Sequence, residues 1–146
     1  LDTRDRLRLE DDYKYMVYLA RQLVTMDQTM FEAALNRSDR RVKSAALAIA
    51  HKYEEKYLED LISNIDSDEL LVSQAARYSL IQISNLYLGG KNFVDFGPMI
   101  THDRDTKSSI AFLWKAWFGK AVKEGKKCKG SQTIQKSTAK TPTQKK

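Results

Sequence analysis

Asp95, His102, Asp103 and Asp105 carry carboxylates and an imidazole, the groups that could hold Zn²⁺, Mn²⁺ or Ca²⁺. Their spacing fits no metal loop, since Asp103-x-Asp105 lacks the glycine and distal glutamate of a calcium site. Asp103, or the hydroxyl of Thr101, has the simpler task of capping a final helix. His51 is the other histidine. It falls near the end of an alanine-rich helix, where an imidazole can interact with terminal carbonyls. Catalysis there would need a paired nucleophile or acid, and Lys52, Glu54 and Glu55 read as solvent-facing charges. No catalytic residue, metal or cofactor is assigned, and the chain is expected not to be an enzyme.

The densest basic group within the foldable part is Arg37, Arg40, Arg41 and Lys43. Arg40 and Arg41 are expected to be exposed, and such a helix edge could meet phosphates. Asp39 lies among them, and Asp66, Asp68 and Glu69 occupy the matching places thirty residues on, so the edge is mixed in sign. Asp95-Phe96-Gly97 resembles the metal-binding triplet of protein kinases, but no glycine-rich nucleotide loop or catalytic-loop motif accompanies it. An ordered turn is the better reading: Asp95 on backbone amides, Phe96 buried, Gly97 at a dihedral that other residues resist. Trp114, Trp117 and Phe118 recur at helical steps, which makes core packing their expected role.

These residues sit on a helical framework. Apolar residues at three- and four-residue steps predict a first helix over 9–25, with Tyr13, Met16, Val17, Ala20, Leu23 and Val24 on its stripe and Asp11 and Asp12 in its first turn. Asp27 caps a short helix over 28–35, and residues 36–39 form a turn. A third helix follows to residue 53, with Val42, Ala45, Ala46, Ile49 and Ala50 inward. A fourth covers 55–65, and a fifth, 69–86, turns Val72, Ala75 and Ala76 inward. Gly89-Gly90 ends that helix, and Pro98 forbids an easy continuation. The connecting loop, 89–104, folds Phe93 and Phe96 back onto the core. A capping helix, 105–122, is lined by Ile110, Leu113, Trp114, Trp117 and Phe118.

Charge separates a folding part from a tail. Of the 146 residues, 1–119 hold 16 Lys and Arg against 18 Asp and Glu, whereas 120–146 hold nine lysines and one acid. The tail has no helical stripe or strand alternation and is expected to be disordered, so the basic pI belongs to the tail rather than the domain. A lysine-rich arm could touch nucleic acid, an anionic membrane or an acidic protein. The single cysteine, Cys128, allows no intrachain disulfide. No run is long and apolar enough for a membrane span, and no signal peptide is visible. The chain starts at Leu1 rather than Met, as a processed chain or a fragment would. The compartment is open, with the cytoplasm as default.

One pattern occurs twice: Leu35-x-x-x-Asp39-x-x-Val42-x-x-Ala45-Ala46 and Ile65-x-x-x-Glu69-x-x-Val72-x-x-Ala75-Ala76. A helix pair with such a face must stack on a neighbour to bury it, and small side chains let the axes approach closely. The unit resembles a HEAT repeat, with Asp39, Val42, Lys43, Ala45 and Ala46 matching well. In the second copy Ser73 replaces the usual basic residue. Asn92, Phe93, Asp95, Phe96, Gly97 and Pro98, followed by Ile110, Trp114 and Trp117, are similar to a closing segment of bacterial HEAT-like proteins. The resemblance covers residues 27–118. It implies an all-α, armadillo-like fold: a short right-handed α-α superhelix of stacked antiparallel pairs, about six helices, with repeats over 27–53 and 55–86. It implies a scaffold that binds a protein partner or neighbouring domain, with no catalytic residue to carry over. Nucleic-acid binding through Arg37, Arg40, Arg41 and Lys43, helped by the tail, is the alternative.

Overall fold

In the computed structural model, which describes residues 2–97 and 103–124, every regular element is helical. Pro98, Thr101, His102, Cys128 and the rest of the lysine-rich segment beyond residue 124 lie outside the described residues. Six α-helices run in order: α1 (Thr3–Val24), α2 (Gln28–Leu35), α3 (Arg40–Ile49), α4 (Leu58–Asn64), α5 (Leu70–Tyr87) and α6 (Arg104–Glu124). A 3-10 segment, Ala50–Tyr57, joins α3 to α4.

Helix α1 begins at Thr3, six residues before the expected start at residue 9. The Asp2 side chain accepts the Asp5 amide at 2.8 Å and starts the helix where residues 3–8 are polar or charged except for Leu7. Asp11 and Asp12 therefore lie within the helix rather than in its first turn, and Asp12 is buried. Asp27 caps α2 by accepting the Met30 amide at 3.0 Å, as the sequence predicts. Asp39 caps α3 through the Arg41 amide at 2.9 Å.

The expected helix to residue 53 stops at Ile49 instead. Glu54 takes φ 55° and ψ −128°, a conformation that favours glycine, and the chain turns there. Phe31, Tyr53 and Tyr57 pack around the break, with centroids 4.8 to 5.4 Å apart. Tyr57 donates to Glu32 at 2.7 Å and accepts from Gln28 at 2.6 Å, which binds the segment back onto α2. Burial, together with Glu32, raises the Tyr57 pKa and keeps the phenol protonated.

Helix α3 lies at the centre, packed against α1, α2 and α5, while α4 packs against α5. Ala45, Ala46, Ala50 and Ala76 are fully buried and Ala75 nearly so, as the doubled pattern requires. Ser79 of α5 donates to the Leu47 carbonyl of α3, joining the two layers by a buried polar contact. Val72 is buried, but Val42 is only half-buried, at the edge of the core rather than inside it.

Gly89 and Gly90 both have positive φ, and the Gly90 amide returns to Asn85 O at 2.9 Å to close α5. At the far end, Trp114, Phe118 and Ala121 bury one stripe of α6, with Trp114 stacked on Phe118 at 5.7 Å and Phe96 edge-on to Trp114 at 4.9 Å. Trp117 is half-buried, edge-on to Tyr87 at 6.3 Å. That stripe carries α6 through Glu124, past the expected domain limit at 119. Two expectations fail here. Phe93 is 61% exposed, because Val94, not Phe93, is held to the core by a hydrogen bond from its amide to Ser84 Oγ at 2.9 Å. Leu113 points outward beside Phe112, one step off the buried stripe.

Candidate interaction groove

The stripe of α1 is wider than α3 can cover. Met16 and Leu23 are buried, Val17 and Ala20 are half-buried, and Tyr13 and Val24 remain open. Across α3, the start of α5 turns Leu71, Ala75 and Tyr78 toward the same space. Ala48 and Ile49 of α3 form the floor between them. The result is an apolar groove of about 550 Å³, lined by α1, α3, the first 3-10 turn and α5. No residue of α2 or α4 lines it, so it lies on the side of the α1–α3–α5 row away from those helices. Toward the start of α1 it continues past Leu9, Tyr13 and Leu71 into a second open volume of about 520 Å³.

Polar groups sit around this apolar floor. His51 meets Tyr78 edge-on at 5.6 Å. Burial, with a smaller contribution from the charge of Lys52, lowers its pKa to about 4, so the imidazole is neutral at pH 7. Lys52 donates to Val24 O at 3.3 Å and ties the end of α1 to the 3-10 segment. Gln74 accepts from Arg77 Nη1 at 3.3 Å, while its own Nε2 is buried without an acceptor among the described residues. Arg21 and Lys14 stand on the α1 side and pair with no acid among the described residues. Glu10 is the acid on the same rim.

The basic group picked out in the sequence takes other roles. Arg40 and Arg41 are half-buried rather than exposed. Arg40 Nε donates to the buried Asp12 carboxylate at 2.7 Å, an ion pair between α1 and α3. Arg41 lies 4.6 Å over the Tyr15 ring and pairs with Asp39 at 3.3 Å. That Arg41 hydrogen bond holds the Asp39 carboxyl below the usual carboxylate range. Lys43 Nζ donates to Leu35 O at 3.0 Å. Arg37 is exposed and forms no ion pair among the described residues. Only one of the four cations thus stands free for a phosphate.

Of the residues weighed for metal chemistry, His102 lies outside the described residues, and Asp95 and Asp103 have other partners. Burial would raise the Asp95 pKa, but the Arg77 guanidinium, donating from Nε at 3.0 Å, and the Gly97 amide at 2.9 Å outweigh it and hold the group ionised. Gly97 has φ 89°, the turn conformation expected of it. Asp103 caps α6 through the Thr106 side chain and amide, which lower its pKa. Among the described residues, no three His, Cys, Asp or Glu side chains gather as a metal site.

Set against protein-family models, curated proteins and solved structures, the chain matches none of them. The groove must be read on its own chemistry. Its floor is aliphatic and its walls are two tyrosines, whose bodies bury well and whose hydroxyls stay wet. Covering such a floor would remove aliphatic and aromatic surface from water. The sequence had marked Tyr13 and Val24 as apolar. It marks His51 only as an imidazole near a helix end and gives no sign of Tyr78 or Gln74, because the contact of His51 with Tyr78 joins residues 27 apart in the chain. No helix among the described residues is long and apolar enough to cross a membrane.

Proposed function

We propose that the chain is a non-catalytic helical-repeat module of the HEAT-like, armadillo-type kind, a short right-handed superhelix of stacked antiparallel pairs, serving protein–protein interaction or domain packing. The observation that carries this reading is the apolar groove beside α3, walled by Tyr13 and Tyr78 and about 550 Å³ in volume. A cleft lined in this way gains binding energy by excluding water from aliphatic and aromatic surface. The buried alanine pairs at 45–46 and 75–76 support the repeat reading, since they let α3 and α5 approach as stacked layers. Nucleic-acid binding is the weaker reading, because Arg40, Arg41 and Lys43 are each held by an acid or carbonyl of the fold itself.

The test is site-specific photo-crosslinking in the organism that makes the protein. A photoreactive phenylalanine at Tyr78 should yield an adduct of discrete mass with a protein. The same group at exposed Lys115 of α6 should not. Absence of any adduct at Tyr78 sinks the proposal. Binding of a random DNA duplex, lost on Arg37→Ala and falling steeply with salt, would favour the alternative.

A further inference from the structure

Resting on that reading, we infer that the groove takes an acidic amphipathic helix of about three turns, with its apolar stripe on Val17, Ala48 and Ala75 and its carboxylates facing Lys14 and Arg21. Length comes first. Tyr13 and Val24 mark the two ends of the groove on α1. Eleven residues at the helical rise span about 16 Å, which is three turns of an occupant lying alongside. A helix satisfies its own backbone groups and presents a stripe of side chains, which suits a floor with almost no backbone donors or acceptors to offer.

Charge selects among such helices. Lys14 and Arg21 are seven residues apart, on one side of α1 about 10 Å from each other along the axis. Neither pairs with an acid among the described residues. Arg77 stands on the opposite wall, already held by Asp95. His51 adds no positive charge at pH 7. Gln74 contributes a buried donor that lacks an acceptor. Against these stands Glu10, the single acid lining the groove and its extension among the described residues. The unmet needs of the groove are for acceptors and negative charge, two helical turns apart. The chain's own residues 120–146, with nine lysines and one glutamate, have the wrong sign to supply them.

The probe is a stapled three-turn helical peptide carrying leucines at i, i+3, i+4 and i+7, with two glutamates two turns apart beside the stripe. Its counterpart has lysines in place of those glutamates. Fluorescence anisotropy on the full chain at low salt should show the acidic peptide binding about three- to ten-fold tighter, the difference that two rim ion pairs supply. The double variant Lys14→Glu/Arg21→Glu, at exposed positions that leave the thermal melt unchanged, should invert the order. Equal affinity for both peptides overturns the charge assignment while leaving the groove a protein site. Binding of neither overturns both. A peptide of residues 125–146 that competes with the acidic one assigns the groove to the chain itself. A concentration-dependent dimer that disappears on Tyr78→Asp assigns it to a second copy. Either result overturns the inference.

Discussion

The two copies of the repeated pattern meet the same physical demand by different means. Each must satisfy carbonyls at the end of one helix and amides at the start of the next. In the first copy the means are local. Asp39 caps α3, and Lys43, one turn into α3, reaches back to Leu35 O at the end of α2. In the second copy neither device is present. Glu69 makes no side-chain cap to α5, and Ser73, in the place of Lys43, turns onto its own helix at Leu70 O. The cation comes instead from α6, where Lys107 donates to Ser67 O at 3.3 Å and to Asp68 at 3.1 Å. The first turn is self-sufficient, whereas the second depends on an element some forty residues away. The aromatic closing helix is thereby also a polar latch on the neighbouring turn.

The largest effect expected from the comparison concerns the alanines. Ala45 is enclosed on all sides, whereas Ala75, its counterpart, borders the groove. Ala45→Leu forces extra methyl groups into a closed layer and should cost about 3 kcal/mol. Ala75→Leu can extend into open space and should cost less than about 1 kcal/mol. The same leucine would fill the groove floor and weaken binding of the acidic helical peptide. Denaturant unfolding of both variants checks this, and equal destabilisation would mean that the groove is not open beside α5.

Next in size is the exchanged cation. Lys107→Met keeps the buried stem and removes the ammonium, which leaves Ser67 O without its donor. The expected cost is about 1–2 kcal/mol, since Lys107 is 4% exposed and the bond is charge-assisted. Little of this comes from Asp68, whose side chain is 79% exposed. Lys43→Met, in a half-exposed position, should cost about half as much. Hydrogen exchange separates the two. Lys107→Met should loosen amides at the start of α5, and Lys43→Met those at the end of α2. Loosening confined to α6 in the first variant would break the latch interpretation.

Legibility in the sequence follows the same division between local and distant causes. The α2 cap at Asp27, the turn at 36–39, the inward alanines and the glycine stop at 89–90 each depend on neighbours within a few residues, and each was readable. The break at Glu54 was not, because residues 50–57 contain no glycine or proline, and the Phe31–Tyr53–Tyr57 cluster beside it is assembled only by folding. The start of α1 was missed because Asp2 caps a stretch with almost no apolar stripe. Arg40 and Arg41 read as exposed because Asp12, 28 residues before Arg40, and Tyr15 are brought to them only by folding. The groove was half-legible. Tyr13 and Val24 were visible as apolar, but their openness results from the distance that α3 keeps between α1 and α5, which no spacing within one helix encodes.

The smallest effect is the sharpest test of the two turns. Asp39→Ala removes the cap on α3 and should cost about 1 kcal/mol. Glu69→Asp shortens a side chain that makes no cap to one of the type that caps α1, α2 and α3, and should stabilise by about 0.5 kcal/mol. The two are distinguishable by pH as well as by magnitude. Asp39 has its folded pKa lowered, first by the Arg41 side chain and then by the Arg41 amide. Its contribution is therefore complete above the ordinary carboxylate pKa and disappears as pH falls through the lowered folded value. Thermal melts of the parent and Asp39→Ala should differ at pH 7 and converge once the pH has fallen below the lowered folded pKa of Asp39. If Glu69→Asp installs a working cap, its gain over the parent should vanish in the same acid range. A gain that persists in acid would come from the shortened side chain rather than from a charged cap, and the second turn would lack the geometry for a local cap as well as the residue.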